Sequence, residues 1–484
     1  MAEVYDVIIV GSGPAGMFAG IELATNKPDL RTLILEGGPI RPPLKPENRK
    51  IQTSGWGGSG TFSDGKLDLS SKVGGQLVDF IGAEAFRELM EYVDSLYIRF
   101  GGSKHLIDPT SARHQKFVKE LKERARKVRL EIVEYPVRHL GTENVYLISE
   151  NIRNYLQSRG VEILVNTKVK QINPVKSGEA GISPKAKLFN RVNPQGDYLF
   201  LIEAEGTDSG QNRQFLAKNV IVAPGRAGVE EWFMSEAKRL KIPFKIGGVD
   251  IGVRVEVSDK VFKEITDVLY DPKIYYRSPK YKNRVRTFCV CPQGFVIMEE
   301  HHGLTLANGH SYQKDRSGNT NFAILITEYF TQPFNDPIAY GRHYAGIANL
   351  MAGGKILVQK LGDIWLYHRS DAEDIQNWKV KPTLSEAVPG DLARVIPHRY
   401  LELIKEMLQA MDEIAPGISS AHTILYFPEF KFYSVQVVTD SEKGFEVGKY
   451  PGLRVIGDGG GRTRGLIQSS MEGVIAARAI IKKI

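Results

Sequence analysis

The stretch Val4-Tyr5-Asp6-Val7-Ile8-Ile9-Val10-Gly11-Ser12-Gly13-Pro14-Ala15-Gly16 decides the fold. Its first seven residues are mostly β-branched and apolar and read as a buried strand. Glycines follow at 11, 13 and 16, and Met17 to Ala24 then has helical spacing. Thr32 to Leu35 reads as a second buried strand that ends at Glu36. Strand, tight turn, helix and parallel strand make the βαβ unit of a dinucleotide site. Gly11 permits the turn, Gly13 lets a pyrophosphate approach the backbone, and Gly16 allows close helix–strand packing. Pro14 and Ala15 open the helix, whose first N–H groups face an anion. Glu36, followed by Gly37, is placed to accept hydrogen bonds from ribose hydroxyls.

Composition bounds the rest. The chain has 484 residues, 42% hydrophobic and 25% charged, with a net charge of +8. That is a globular composition, and two or three lobes fit the length. Two cysteines exclude a disulfide framework and favour a reducing, cytoplasmic setting. No apolar run is long enough for a membrane span. Glu3 and Asp6 argue against a signal peptide. The basic residues are dispersed, so no nucleic-acid partner is expected.

Four features point to FAD rather than NAD. The fingerprint lies at the extreme N-terminus. Val161 to Ile172 reads as a strand whose Val169 flanks an adenine. Val220 to Val222 is a strand that breaks at Ala223-Pro224-Gly225. Near the C-terminus, Val455-Ile456 delivers Gly457 and Asp458 to a turn before a last helix. Asp458 is suited to a ribityl hydroxyl, and the helix start at Ile467 and Gln468 to the flavin pyrimidine edge. No second Gly-x-Gly-x-x-Gly joins a strand to a helix, so NAD(P)H is expected only as a transient visitor.

The expected architecture is α/β: a Rossmann-type FAD-binding domain with a parallel sheet and helices on both faces, a second mixed or antiparallel sheet forming a substrate lobe, and a helical insertion. The expected limits are 1–75, 145–235 and 430–484 for the discontinuous FAD domain, 76–144 for the insertion and 236–429 for the substrate lobe. The polar stretch 173–196 reads as a surface excursion.

Several segments carry a resemblance. They are Gly57 to Leu67 (GGSGTFSDGKL), Arg138 to Thr142, Asp250 to Glu256, Cys289-Val290-Cys291-Pro292, Asn308 to Ser311 and Gly457 to Leu466. The chain resembles bacterial FAD-dependent dehydrogenases of the glutathione-reductase-like flavoprotein superfamily. The resemblance implies an FAD-dependent oxidoreductase, but no particular substrate. Disulfide reductases of that superfamily carry a cysteine pair near the first helix, and this chain has none there.

The Gly55 to Leu67 loop is the expected active-site loop, with Gly58, Ser59, Gly60 and Ser63 on the flavin and Lys66 adding positive charge. Cys289 and Cys291 are expected to face apart and to serve as buried small hydrophobes. Glu299 to His302 reads as a solvated turn, and no metal site is expected. His310 is expected on a turn, as an acid or base for a substrate. Arg254 and Glu256 share one strand face, where Arg254 meets either substrate or a neighbouring lobe. Arg462 and Arg464 are candidates for an anionic group, and Glu429, Lys431 and Tyr433 for the same pocket. The expected function is hydride exchange between flavin N5 and a small organic substrate. The alternatives are an NAD(P)H- and O₂-dependent monooxygenase and an FAD-bound RNA-modifying or scaffold protein. The oligomeric state is left open.

Overall fold

Strand β1 (Glu3–Val10) and strand β2 (Thr32–Leu35) pair in parallel, joined by helix α1 (Pro14–Asn26). The opening therefore folds as its pattern predicts. Residues Ala15 to Ala24 of α1 are all buried, because the helix is covered on more than one side. The computed structural model describes residues 3–40, 50–51, 54–176, 198–312, 315–373, 375–433 and 435–484. From 177 onward, the expected surface excursion lies outside them.

The first sheet runs in the order Glu162–Leu164, β2, β1, Asn212–Val222, Tyr198–Gly206, Thr167–Lys176. Leu453–Val455 adds in parallel to the far end of Asn212–Val222. The half around β1 is parallel, and Tyr198–Gly206 and Thr167–Lys176 are antiparallel. The single strand expected over Val161 to Ile172 is divided. Asn166, at φ 51°, breaks it, so Glu162–Leu164 joins the parallel half and Thr167–Lys176 the antiparallel half.

The C-terminal helix Leu466–Lys483 lies against α1. Contact is backbone to backbone: a Cβ on Gly473 would stand 2.1 Å from the Ala15 carbonyl oxygen. Helices Ala83–Arg99 and Gln115–Lys127 fall within the expected insertion, and Thr142–Ser158 follows at its end. Residues 76–144 also supply Leu130–Val133 to the edge of the second sheet, and Val137–His139 pairs with Lys66–Asp68.

The second sheet has eight strands with Val249–Ser258 near its middle, flanked by Asn319–Glu328 and Ile424–Phe432. Its pairings are antiparallel except for Leu357–Lys360 with Val388–Pro389. This is the expected mixed sheet. A bulge interrupts Arg284–Cys291 between Phe288 and Cys291, with Cys289 at φ 48°. A separate hairpin, Phe295–His301 with Leu304–His310, leans over the first sheet's C-terminal edge.

The helix contact sets a stability test. Gly473→Ala forces a methyl group onto backbone and should cost about 1–3 kcal/mol, the range for overpacking. A methyl on Gly448 meets nothing within 4 Å, so Gly448→Ala should leave stability unchanged. Urea melts of the two variants check this.

Candidate functional site

A cleft of about 510 Å³ runs from the β1–α1 turn to the second sheet. Its walls come from both ends of the chain. Gly11, Gly13, Pro14, Ala15, Glu36 and Gly37 lie at one end, with Val169, Ala223 and Gly225 beside them. Gly457 and Asp458 close it from the C-terminal side, and Gly58, Ser59, Gly60 and Ser63 cover it. A Cβ on Gly457 would lie 2.9 Å from the Ala15 Cβ, so the two ends are in contact.

The cleft is shaped by what is missing from its side chains. A Cβ on Gly13 would meet nothing within 4 Å, so that backbone opens onto free space. The α1 N-terminus has no side-chain cap, which leaves early N–H groups for an anion. The covering loop sits directly on this turn: a Cβ on Gly58 would be 3.2 Å from Gly13 Cα, and one on Gly60 2.8 Å from the Pro14 ring. Glu36 lines the cleft with its carboxylate already engaged. Oε2 accepts from Ser12 N and Oγ at 3.0 and 2.7 Å, and Oε1 from Gly38 N and Gly55 N at 2.9 and 3.1 Å. A ribose there would have to share these contacts.

The C-terminal turn is held from below. Arg462 Nε donates to Glu472 Oε1 at 2.8 Å, and the Gly457 N–H donates to Glu472 Oε2 at 2.5 Å. Arg462 further donates to the Val437 and Val455 carbonyls. It is therefore an internal brace rather than an anion anchor. Arg464 lies 3.5 Å over the Tyr433 ring. Asp458 Oδ1 accepts from Ser469 Oγ at 2.6 Å, and Arg226 lies 3.5 Å from Oδ2. Three expected cofactor residues sit off the cleft. Gly16 packs on the Gly11 carbonyl, and Ile467 is buried in the first core. Gln468 is engaged with Leu77 N and the Val73 carbonyl.

The second lobe supplies the opposite wall: Phe288, Cys289, Glu299, His301, Leu306, Asn308, His310, Lys431 and Phe432. Here two expectations are corrected. Glu299 and His301 are not on a solvated turn. They end a strand, and the turn is His302-Gly303, both at positive φ. Two such residues between alternating strands are a hairpin signal legible in the sequence. His310 likewise ends a strand rather than sitting on a turn. His301 stacks on Phe432 at 4.9 Å, and Asn308 Nδ2 donates to Glu299 Oε2 at 2.8 Å. Burial opposes the Glu299 carboxylate, but Lys431 and Arg226 outweigh it and hold the pKa below its usual value. Glu429 and Tyr433 do not join this wall; they bind Arg254 and Asp250.

Lys66 and Arg254 lie under the cleft floor. Lys66 donates to the Val290 carbonyl and stands 2.8 Å from Asp64 and 3.5 Å from Asp271. Arg254, fully buried, donates to Asn321 Oδ1, the Cys289 carbonyl and Cys291 Sγ at 2.8, 2.8 and 3.2 Å, and Glu429 lies 3.5 Å away. A buried cation has to be paired, and these pairings hold both side chains away from the cleft space. The cysteines do not face apart. Positions two apart on a strand share a face, and the two Sγ atoms are 4.0 Å from each other.

Residues 249–431 match the family model described as "FAD-dependent protein, C-terminal domain-like". An uncharacterized protein of Clostridium beijerinckii is 24% identical, the match covering 98% of this chain and 80% of that one. Among solved structures, glycine oxidase from Geobacillus kaustophilus is 12% identical, with a TM-score of 0.41, covering 99% of this chain and 95% of its own. L-proline dehydrogenase from P. horikoshii is also 12% identical, with a TM-score of 0.41 over 100% and 95%. These two scores are too low to carry an argument about chemistry. The family match names FAD, and the open Gly13 backbone and uncapped helix start suit its pyrophosphate. Residues 249–431 are thus similar to part of FAD-dependent proteins, and the cleft beside them has the open backbone and free helix start that such a cofactor would need. No helix among the described residues is long and apolar enough to cross a membrane.

Two buried histidines give a pH test. Burial lowers both His139 and His310 from 6.5 to about 4, so both are neutral near pH 7. Between those values the unfolded chain binds the proton more readily, so stability falls as pH drops from 6.5 toward 4. Across that whole range each histidine accounts for a loss on the order of 3 kcal/mol. Urea unfolding at stepped pH should show a flatter slope for His310→Gln and His139→Gln than for the parent; unchanged slopes would refute the assignment.

Proposed function

We propose that this chain is an FAD-dependent dehydrogenase, or its ene-reducing counterpart, acting on a small organic substrate held between the cofactor cleft and the second lobe. The observation that carries this reading is the continuity of one cleft, from the dinucleotide turn at Gly11–Gly16 to the polar wall of Glu299, Asn308, His310 and Lys431. FAD, when bound, supplies two-electron exchange with an organic substrate. The protein's own residues do the rest. Gly11, Gly13 and the α1 N-terminus hold the pyrophosphate, and Glu36 and Asp458 the sugar and ribityl hydroxyls. Ser59, Ser63 and the backbone of Gly58 and Gly60 cover the cleft against water. Phe288, Leu306 and Phe432 give the substrate side an apolar lining, and Glu299 and Asn308 orient a polar group by hydrogen bonding. His310 lies on the substrate side of the cleft and is neutral at pH 7, with one donor and one acceptor nitrogen for a substrate polar group or proton. NAD(P)H, if it is the donor, docks transiently at the same wall. The glutathione-reductase-like affiliation belongs to this reading too, as does a cytoplasmic setting.

Anaerobic mixing of the yellow holoprotein with candidate substrates, and separately with NADH or NADPH, tests it. A dehydrogenase bleaches the flavin band with its substrate and reoxidises slowly in air. His310→Gln should keep its flavin and lose about 10²-fold or more of the bleaching rate, as expected for a general base. Fast reoxidation by O₂ with a hydroxylated product would replace this reading with a monooxygenase. A colourless protein that takes up no FAD would end it.

A further inference from the structure

The cleft floor holds a feature that oxidoreduction of an organic substrate does not use. Cys289 and Cys291 are the chain's two cysteines. A regular strand separates residues i and i+2 by about 6.7 Å, near the upper limit that a disulfide tolerates between Cα atoms. The bulge at Phe288/Cys291 and the left-handed backbone at Cys289 bend the strand here, and the sulfurs stand 4.0 Å apart. The sulfurs have to close about 2 Å to make a bond. Their access differs: Cys289 lines the cleft, while Cys291 is fully buried.

The surroundings are those of a reactive sulfur. Arg254 Nη2 donates to Cys291 Sγ at 3.2 Å, and Lys66 Nζ lies 3.8 and 3.9 Å from the two sulfurs. Cys289 Sγ donates to Asp64 Oδ2 at 2.9 Å. A cysteine that only fills space needs no cation aimed at its sulfur. Burial opposes a thiolate at Cys291, but the Cys289 hydrogen bond, Lys66 and Arg254 overcome it and bring the pKa down to about 6. Burial and the neighbouring Cys291 push the Cys289 thiol well up. Asp64 and the two sulfurs also lie close enough together to ligate a metal ion, but Lys66 and Arg254, in contact with the same atoms, repel a cation.

We propose that Cys289 and Cys291 form a dithiol–disulfide couple in the floor of the cofactor cleft, exchanging with small dithiols and cyclic disulfides that enter it. In the oxidised protein, a thiolate of the small dithiol attacks the accessible Cys289 sulfur. The Cys289–Cys291 bond breaks, and its electron pair leaves on Cys291, where Arg254 and Lys66 receive the charge. The reagent's second thiolate then attacks the mixed disulfide and closes its own ring. Cys289 leaves, takes a proton and returns to Asp64. The protein disulfide gains two electrons, and the dithiol loses them. The reverse steps form the protein disulfide from a cyclic disulfide. Low thiol pKa makes Cys291 the better leaving group, and access makes Cys289 the point of attack.

The test reads thiols rather than turnover, so it stands apart from the dehydrogenase reading. The holoprotein is equilibrated without oxygen at graded ratios of oxidised to reduced dithiothreitol, quenched in acid, denatured and alkylated with N-ethylmaleimide. Intact mass then counts the adducts. The proposal predicts two adducts under reducing conditions and none under oxidising ones, with a mass lower by two hydrogens than the unalkylated dithiol. One transition should span about a hundredfold range of ratio, as for a single two-electron couple, and the one-adduct species should stay minor. Cys289→Ser and Cys291→Ser should each carry one adduct at every ratio. Two adducts on the parent at every ratio, or a disulfide between two chains, would overturn it. The flavin spectrum of the same samples reports the cofactor separately. A colourless protein that still shows the transition would sink the cofactor reading and keep this one.

Discussion

Close backbone contact between α1 and the C-terminal helix is what brings the chain's two ends to one place. Gly473 has no side chain, so the Ala15 carbonyl can lie where a Cβ would stand. One residue earlier, Glu472 takes the Gly457 N–H on one oxygen and Arg462 on the other. The helix that packs on α1 therefore also fixes the turn that faces α1. Nearly 450 residues separate Gly13 from Asp458, and a long-range constraint of this kind is needed to make them opposite walls of one cleft. The Arg462–Glu472 pair is buried and expensive to desolvate, and the extra hydrogen bonds to two carbonyls and one backbone amide offset that cost.

A second buried charge system carries the other wall. Lys66, paired with Asp64 of its own loop, ties the covering loop to Asp271 and to the Val290 carbonyl of the second sheet. Lys273 adds to Asp271 at 2.7 Å, and Arg254 joins the strand bearing the cysteines to Glu429 and Asn321. Removing one partner of such a network leaves an uncompensated buried charge, which is strongly destabilising. The loop over the cleft and the wall opposite it are thus positioned by one ionic floor. The same floor surrounds the two sulfurs, so the cover of the cleft and the cysteine pair share their structural support.

Much of the first sheet and its turns was legible in the sequence because its signals are local. The turn at Gly11–Gly16, Glu36 at the end of β2 and the Gly457-Asp458 turn each follow a readable strand. The helix start near Ile467 and Gln468 does reach the cleft through Gly465 and Leu466, while the two side chains turn toward the core and residues 73–77. The second lobe was harder to read. Lys66 and Arg254 stand out as charges among glycines or β-branched residues, and that pattern does not distinguish a substrate-facing charge from one paired beneath the surface. The sequence does not announce the bulge at Cys289, and the expected opposite facing of the two cysteines ignored the period of a strand. Glu299 and His301 were lost to an unrecognised hairpin turn at His302-Gly303.

The central claim is that both ends of the chain grip one FAD molecule. Hydrogen–deuterium exchange of the protein with and without FAD measures this directly. The account predicts that peptides containing residues 11–17 and 456–468 gain protection together, at the same FAD concentration, and that Gly13→Val abolishes both effects. Protection at only one end, or at neither with FAD demonstrably bound, would contradict it.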